Sequence, residues 1–272
     1  ALPIYGDSLP DPVAGKPIYN QTPIPGGAVD SQGMGIAPSR LLVNFLDNHD
    51  VSRFLSSIDG CYVDGKEALR RLHNAVSLLY TQDGIPCIYD GTEQEFSGGN
   101  DPANRERMFD NLLNNVYRGG STAQRETMGQ SGFSTDGDTF KWLSHLAAVR
   151  KASEVLRRGD LKVTWATDRT GSESDAGILA FTRTYNGKTA LVVTNVHNSQ
   201  TSSTEFSGTQ MKVPFSSGTL VDVLGDPLDT TKESSYVVPA TGTIAVRVSS
   251  RATKVLMLAA DAQAVKDQLA RK

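Results

Sequence analysis

The sequence predicts an α/β fold followed by an all-β domain, on three observations. A strand, helix, strand pattern occupies residues 41–89, a second helical stretch with a broad apolar face runs over 140–152, and from about residue 160 the chain breaks into short β-branched runs separated by turn signals. Alternation of strand and helix belongs to parallel sheets, whereas many short strands with frequent turns belong to antiparallel ones.

Residues 1–40 are crowded with Pro, Gly, Asn and Asp (SLPDPVAGKP, TPIPGGAVDSQGMG), so turns are favoured and no apolar period is sustained. They are expected to form an irregular, loop-rich connection. Residues 41–46, LLVNFL, read as a short strand apolar on both faces, as in a parallel sheet covered on both sides. From Lys66 to Gln82, apolar residues at Ala68, Leu69, Leu72, Ala75, Val76, Leu79 and Tyr80 follow a helical period, with Glu67, Arg70, Arg71 and Asn74 expected on the wet face. Residues 84–89, GIPCIY, form a second apolar strand with Pro86 near its start, where a missing N–H is tolerated. These three elements make a βαβ unit. After a long polar loop over 90–138, FKWLSHLAAVRKA returns to a helical period.

Beyond residue 160 the runs LKVTW, GILAFTRTY, TALVVTNV, GTLVDVL, SYVV, GTIAVRV and KVLML read as strands. Tyr185-Asn186-Gly187-Lys188 is the clearest local signal, because Asn-Gly suits the positive φ angles of a two-residue hairpin turn. An antiparallel β-sandwich with Greek-key connections is expected. The end, AADAQAVKDQLARK, is helix-prone but polar and reads as a frayed tail. The expected division is 1–40 connection, 41–155 β/α part, 156–258 β-sandwich and 259–272 polar tail.

A formal charge of -3 over 272 residues, with both signs interspersed, offers neither a basic stripe for nucleic acid nor a polybasic segment for an anionic membrane, and no apolar run is long enough to span a bilayer. Neither partner is expected. The first residues, ALPIYGDSLP, have no features of a leader and no methionine, so the chain is expected either to have lost a leader or to be a piece of something longer. Cys61 and Cys87 make no disulfide framework and no zinc-type spacing; two free thiols are favoured over one bridge, with Cys87 in the core of its strand. No metal-ligating cluster is visible.

In parallel β/α architectures, active sites are built from the loops after the strands. The first strand end carries Asp47, Asn48, His49, Asp50 and Arg53; the second carries Tyr89, Asp90, Glu93, Glu95 and then GGNDPANRE over residues 98–106. A single Asp after a strand is more often a cap or turn former than a catalyst. His73, His145 and His197 read as surface or satisfied residues. The coincidence of carboxylates, a histidine, an arginine and an aromatic at two neighbouring strand ends points to a site that grips hydroxyls and faces developing positive charge, which is sugar chemistry.

FLDNHDVSRF resembles the α-amylase family, glycoside hydrolase family 13, in which an apolar strand ends in Asn-His-Asp with Arg close behind. GIPCIYDGTEQEFSGGNDPANRE is similar to that family's eighth barrel strand and following loop. The resemblance implies the last two β/α units of a (β/α)8 TIM barrel followed by a C-terminal antiparallel β-sandwich. It implies α-1,4-linked glucans as substrates, Asp50 as a transition-state stabiliser, and Asn48, His49, Arg53, Tyr89, Asp101 and Arg105 as substrate-binding residues. Asp101 and Arg105 read equally as a structural ion pair. Asp90 departs from the small or aromatic residue usual at its position.

The family's nucleophile context, Gly-x-Arg-x-Asp, is not in the chain, and no glutamate precedes Glu67 to serve as its acid. Asp50 with Glu93 makes a poor substitute pair. The resemblance therefore implies part of a retaining α-amylase-type glycoside hydrolase cleaving starch, glycogen or maltooligosaccharides. An N-terminal complementary polypeptide would supply nucleophile and acid/base, calcium would belong to that portion with no cofactor in this chain, and a secreted or periplasmic location is expected. The alternatives are a transglycosylase of the same family (glucanotransferase or isomerase) and a non-catalytic carbohydrate-binding fragment.

Overall fold

Apolar residues at helical spacing fold as α2 (Gly65–Thr81), which crosses between two short parallel strands, β1 (Val43–Asn44) and β2 (Ile85–Pro86). The computed structural model describes residues 22–59, 65–106, 108 and 133–271. Most of the expected connection over 1–40, and the possible bridge to Cys61, lie outside them. The βαβ reading holds, but the paired strands are shorter than the apolar runs, with Val43 opposite Ile85 and Asn44 opposite Pro86. Ile85 N–H donates to the Leu42 carbonyl (2.7 Å) and Cys87 N–H to the Asn44 carbonyl (2.8 Å).

Burial alternates along this pair. Leu46 and Ile88 pack on the helical core, while Leu41, Val43, Phe45, Ile85 and Cys87 are exposed. Successive strand residues point to opposite faces, so the odd-numbered residues line one uncovered face. The expectation of a strand pair covered on both sides is corrected, as is that of a buried Cys87, whose thiol is free and exposed.

The helix α1 (Phe54–Asp59) follows the first polar loop. Further on, α3 (Asp138–Ala152) and the one-turn α4 (Glu154–Arg158) are joined at Ser153, whose hydroxyl accepts from the Leu156 N–H as the cap of α4. The polar face of α2 is not wet. Glu67 pairs with Arg251 (2.8 Å), Arg70 donates to the Ser250 hydroxyl (2.6 Å), and Asn74 donates to Thr194 (3.0 Å). The β domain covers that face and supplies these partners to its polar side chains, as burial favours.

The β domain is built on a six-stranded antiparallel sheet of order β10-β9-β13-β5-β4-β3. Its strands are β3 (Asp160–Ala166), β4 (Ile178–Tyr185), β5 (Lys188–Asn195), β9 (Gly218–Asp222), β10 (Ser235–Val238) and β13 (Thr253–Leu258). Tyr185 and Lys188 pair across the Asn186-Gly187 turn, whose φ angles are 48° and 73°, as the hairpin signal predicts. Opposite lie two smaller ladders. One joins β7 (Glu205–Phe206), β8 (Thr209–Lys212) and β11 (Thr243–Ile244); the other pairs β6 (Ser202–Ser203) with β12 (Arg247–Val248).

The central sheet is covered on both faces, which explains the nearly continuous apolar runs of β4 and β5. Ala180, Leu191, Val193 and Leu256 face Met211, Ile244 and Val248 of the smaller ladders. Phe181, Ala190, Val192, Val255 and Met257 face the other way, into one core with Leu72 and Val76 of α2 and Trp142 and Leu146 of α3. The residues expected as a frayed tail form α5 (Ala259–Ala270), which buries Ala262 and Val265 in the same core. Small residues at those positions let a polar helix lie close to the sheet, a burial that its mean polarity conceals.

Candidate active site

The loop after β1 begins with Asp47, which is buried. Its carboxylate accepts from the Phe54 N–H at the start of α1 (2.9 Å) and from the Thr92 hydroxyl beyond β2 (2.8 Å), so it caps a helix and ties the two strand ends together. Asn48 turns its amide oxygen onto the N–H groups of Asp50 (2.8 Å) and Val51 (3.1 Å). This local turn commits the Asn48 side chain to the backbone. It also projects His49 and Asp50 outward: their side chains are 63% and 67% exposed, with Nε2 3.3 Å from Oδ1.

Arg53 does not follow them. Its side chain is 1% exposed, paired through Nε with Glu106 (2.9 Å) and donating through Nη1 to the Asp90 carbonyl (2.6 Å). The guanidinium carbon stands 3.9 Å from the centre of the half-buried Tyr89 ring, a desolvated cation–π contact. Arg53, expected among the substrate-binding residues, lies beneath the surface with the Tyr89 ring against it.

The second loop reaches back to the first. Asp101 and Arg105 are paired at 2.7 Å on the surface, and Arg105 Nε also donates to the His49 carbonyl (3.3 Å). Asn104 is fully buried and donates to the carbonyls of Val51 (2.8 Å) and Asn48 (3.3 Å). The Ser52 hydroxyl donates to the Asn100 amide oxygen (2.6 Å). His49, Asp50, Asp101 and Arg105 thus share one polar surface over the strand ends. Asn104 and Glu106, which support it, were not singled out in the sequence, although both lie in the quoted GGNDPANRE run; nothing in a local pattern separates a buried amide from an exposed one.

Glu93 belongs elsewhere. Its carboxylate accepts from the Gly91 N–H (3.0 Å), and burial, with a smaller push from Asp90, holds the group above the ordinary glutamate range. It lines a cleft of about 470 Å³ with Arg70, His73, Glu95 and Asp136, and neither His49 nor Asp50 borders that cleft. An Asp50–Glu93 pair therefore has no geometric basis. His73 bonds the buried Asp226 (2.9 Å) and stacks on Trp142 at 4.3 Å, and His145 bonds the Leu224 carbonyl (2.7 Å), so both are satisfied as expected. Among the described residues, no three His, Cys, Asp or Glu side chains are grouped to hold a metal ion, and no helix is long and apolar enough to cross a membrane.

Exposed polar groups thus gather on the loops after neighbouring parallel strands, the end of a β/α assembly where ligands bind, with an antiparallel β domain behind them. The model of the α-amylase catalytic domain matches residues 30–159, and that of the maltogenic amylase C-terminal domain matches 171–239. The chain belongs to the α-amylase family, glycoside hydrolase family 13. It is 30% identical over 187 residues to an α-amylase of Niallia circulans, covering 68% of this chain and 27% of that protein. To a cyclomaltodextrin glucanotransferase of Paenibacillus macerans it is 28% identical over 184 residues, covering 68% and 20%. The crystal structure of an Anoxybacillus α-amylase superposes with a TM-score of 0.56 at 24% identity, covering 80% of this chain and 38% of that one. The chain thus spans about a fifth to a quarter of the length of these curated relatives.

Proposed function

We propose that the chain is part of a retaining glycoside hydrolase acting on α-1,4-linked glucans such as starch, glycogen or maltooligosaccharides, and that it forms the last two β/α units of a (β/α)8 barrel. The observation that carries this reading is the exposed His49–Asp50 pair over the end of β1, with Arg105 of the second loop bonded to the His49 carbonyl. Cleavage of a glycosidic bond passes through an oxocarbenium-like state, in which positive charge spreads over the ring carbon and oxygen. Asp50 offers a fixed negative charge to that state, and His49 a hydrogen bond to a ring hydroxyl that strengthens as charge develops. Asp101 and Arg105 contact a sugar further along the chain.

A retaining enzyme also needs a nucleophile and an acid/base about 5–5.5 Å apart. In this proposal both come from an N-terminal complement, which covers the uncovered face of β1 and β2. The exposure of Leu41, Val43, Phe45 and Ile85 supports that reading, because a row of apolar side chains on one sheet face is a surface made to be packed. Calcium and the secreted or periplasmic location belong to the same proposal, with calcium held by the complement.

The test is to supply maltoheptaose to the complete protein that carries this chain. Shorter oligosaccharides with the α configuration retained are expected; absence of turnover by a folded sample overturns the proposal. Similarity to a cyclomaltodextrin glucanotransferase favours transfer as the second reading, and new α-linkages or cyclic products at high substrate would select it.

A further inference from the structure

Three residues from the two loops close on one another beneath the exposed polar surface. The Glu106 side chain is 6% exposed; one of its oxygens accepts from Arg53 Nε (2.9 Å) and the other from the Gly98 N–H. The Gly98 carbonyl in turn accepts from the Arg53 N–H (3.0 Å). A Cβ at position 98 would stand 1.8 Å from the Ala103 carbonyl oxygen and 2.6 Å from Glu106 Oε1, so only glycine lets the loop fold this tightly over the carboxylate. Neither side chain of the Arg53–Glu106 pair reaches the surface that presents His49, Asp50, Asp101 and Arg105.

We infer that Glu106 is a positioning residue that sets the register between the two halves of the sugar site. The loop after β1 carries His49 and Asp50, while the loop after β2 carries Asp101 and Arg105, and a sugar chain that touches both halves is held correctly only if the loops keep one spacing. Asn104 adds amide bonds across the same seam, but Glu106 is the carboxylate that holds the Arg53 side chain of the first loop and the Gly98 backbone of the second at once. It accepts no proton in the reaction and touches no substrate. The catalytic consequence rests on the function proposed above; the mechanical one does not.

Two measurements separate these. In the first, amide hydrogen exchange is followed in the complete protein bearing Glu106→Gln, which keeps the side-chain shape and an acceptor for Gly98 but loses the charge that holds Arg53. Exchange over residues 48–54 and 98–105 is expected to quicken on the order of tenfold or more while the central sheet stays protected. Unchanged exchange in those two loops overturns the inference whether or not the protein has activity.

In the second, kcat and KM on maltoheptaose are compared with melting temperature for Glu106→Gln and for the double variant Arg53→Met/Glu106→Leu. Replacing a buried ion pair with apolar side chains relieves the cost of an unpaired charge. The double variant is therefore expected to melt above Glu106→Gln, which leaves the guanidinium unpaired, while its kcat stays depressed on the order of 100-fold, the scale of a misplacement of about 1 Å. A double-variant kcat within about twofold of the parent means that Glu106 serves stability alone and overturns the inference. The surface variant Lys188→Ala, which breaks the exposed pair with Asp261 in the β domain, is the control with unchanged kcat. A parent protein that folds but turns over no glucan sinks the proposed function, and the exchange measurement then decides the register of the loops by itself.

Discussion

Arg183, near the end of β4, is paired with Asp83 just past the end of α2 across 3.3 Å, and both side chains are buried. The same guanidinium donates to the carbonyls of Thr81 (2.8 Å), Gln82 (2.5 Å) and Gly159 (2.7 Å), and Arg150 donates to those of Tyr80 and Gly84 (2.7 Å each). Two arginines therefore satisfy the last carbonyls of α2, which a helix leaves without partners, and lock the β/α part onto the β domain. Arg183→Met removes the cation paired with Asp83 and one donor each to the carbonyls of Thr81, Gln82 and Gly159, leaving Asp83 its bonds from the Ser39 hydroxyl (2.7 Å) and the Gly84 N–H (3.0 Å) but no charge partner. It is expected to cost about 3–5 kcal/mol, as removal of one partner from a buried pair does. Chemical denaturation of the two proteins side by side reads the difference.

Asp50→Asn tests the charge proposed to face the transition state. Because the side chain is exposed and shape is kept, folding should be unaffected, whereas kcat of the complete enzyme should fall by about 10²–10³-fold, or roughly 3–4 kcal/mol. An unaltered kcat would remove Asp50 from the set of groups that stabilise the reacting sugar.

Making the uncovered face polar separates packing from chemistry. The triple substitution Val43→Thr, Phe45→Ser, Ile85→Thr should lower self-association and dye binding of the isolated chain, since these residues are exposed. In the complete protein the same change should be strongly destabilising, by several kcal/mol, if the face is packed there. Equal melting of the altered and parent complete proteins would show that nothing covers this face.

Acid should loosen the first described segment before the rest. The Tyr185 hydroxyl donates to Asp30 (2.7 Å) and, with the N–H groups of Gln32 and Met34 and the nearby Arg158, holds its carboxyl down at about 2 from an ordinary 3.8. A carboxyl depressed by folding contributes stability above its unfolded value and loses it as pH falls through the folded one. The contact between residues 30–34 and Tyr185 is therefore expected to weaken between pH 4 and 2. Asp30→Asn should remove that dependence, as read by the Tyr185 ring signals in an NMR titration.

Elements whose period is local were legible in the sequence. The period read over Lys66–Gln82 becomes α2 at Gly65–Thr81, the helix at 140–152 becomes α3 from Asp138, and the Asn186-Gly187 hairpin has the register its turn demands. What was not legible depends on partners distant in the chain. Arg70 and Asn74 read as solvent-facing until Ser250 and Thr194 are brought against them. The paired stretches Ser202–Ser203 and Glu205–Phe206 are too short and polar to carry a strand pattern, and gain their ladders only from strands far along the chain or across a tight turn. His49, Asp50, Asp101 and Arg105 were singled out by motif, and the structure brings them onto one surface. Arg53 shared the motif but not the exposure, because its guanidinium is claimed by Glu106 and by the Asp90 carbonyl.

The seat of α2 has a consequence for how the molecule reaches this state. Arg70 is bonded to a residue 180 positions later and Glu67 to one 184 positions later, so two anchors of this helix are supplied only from far downstream. Closing loops of that length costs entropy before any contact repays it, which slows folding. On a ribosome, α2 must wait for residues 250 and 251 to emerge, with its docking face bare in the meantime. Chaperone demand and losses from premature termination should therefore both concentrate on this interval of synthesis.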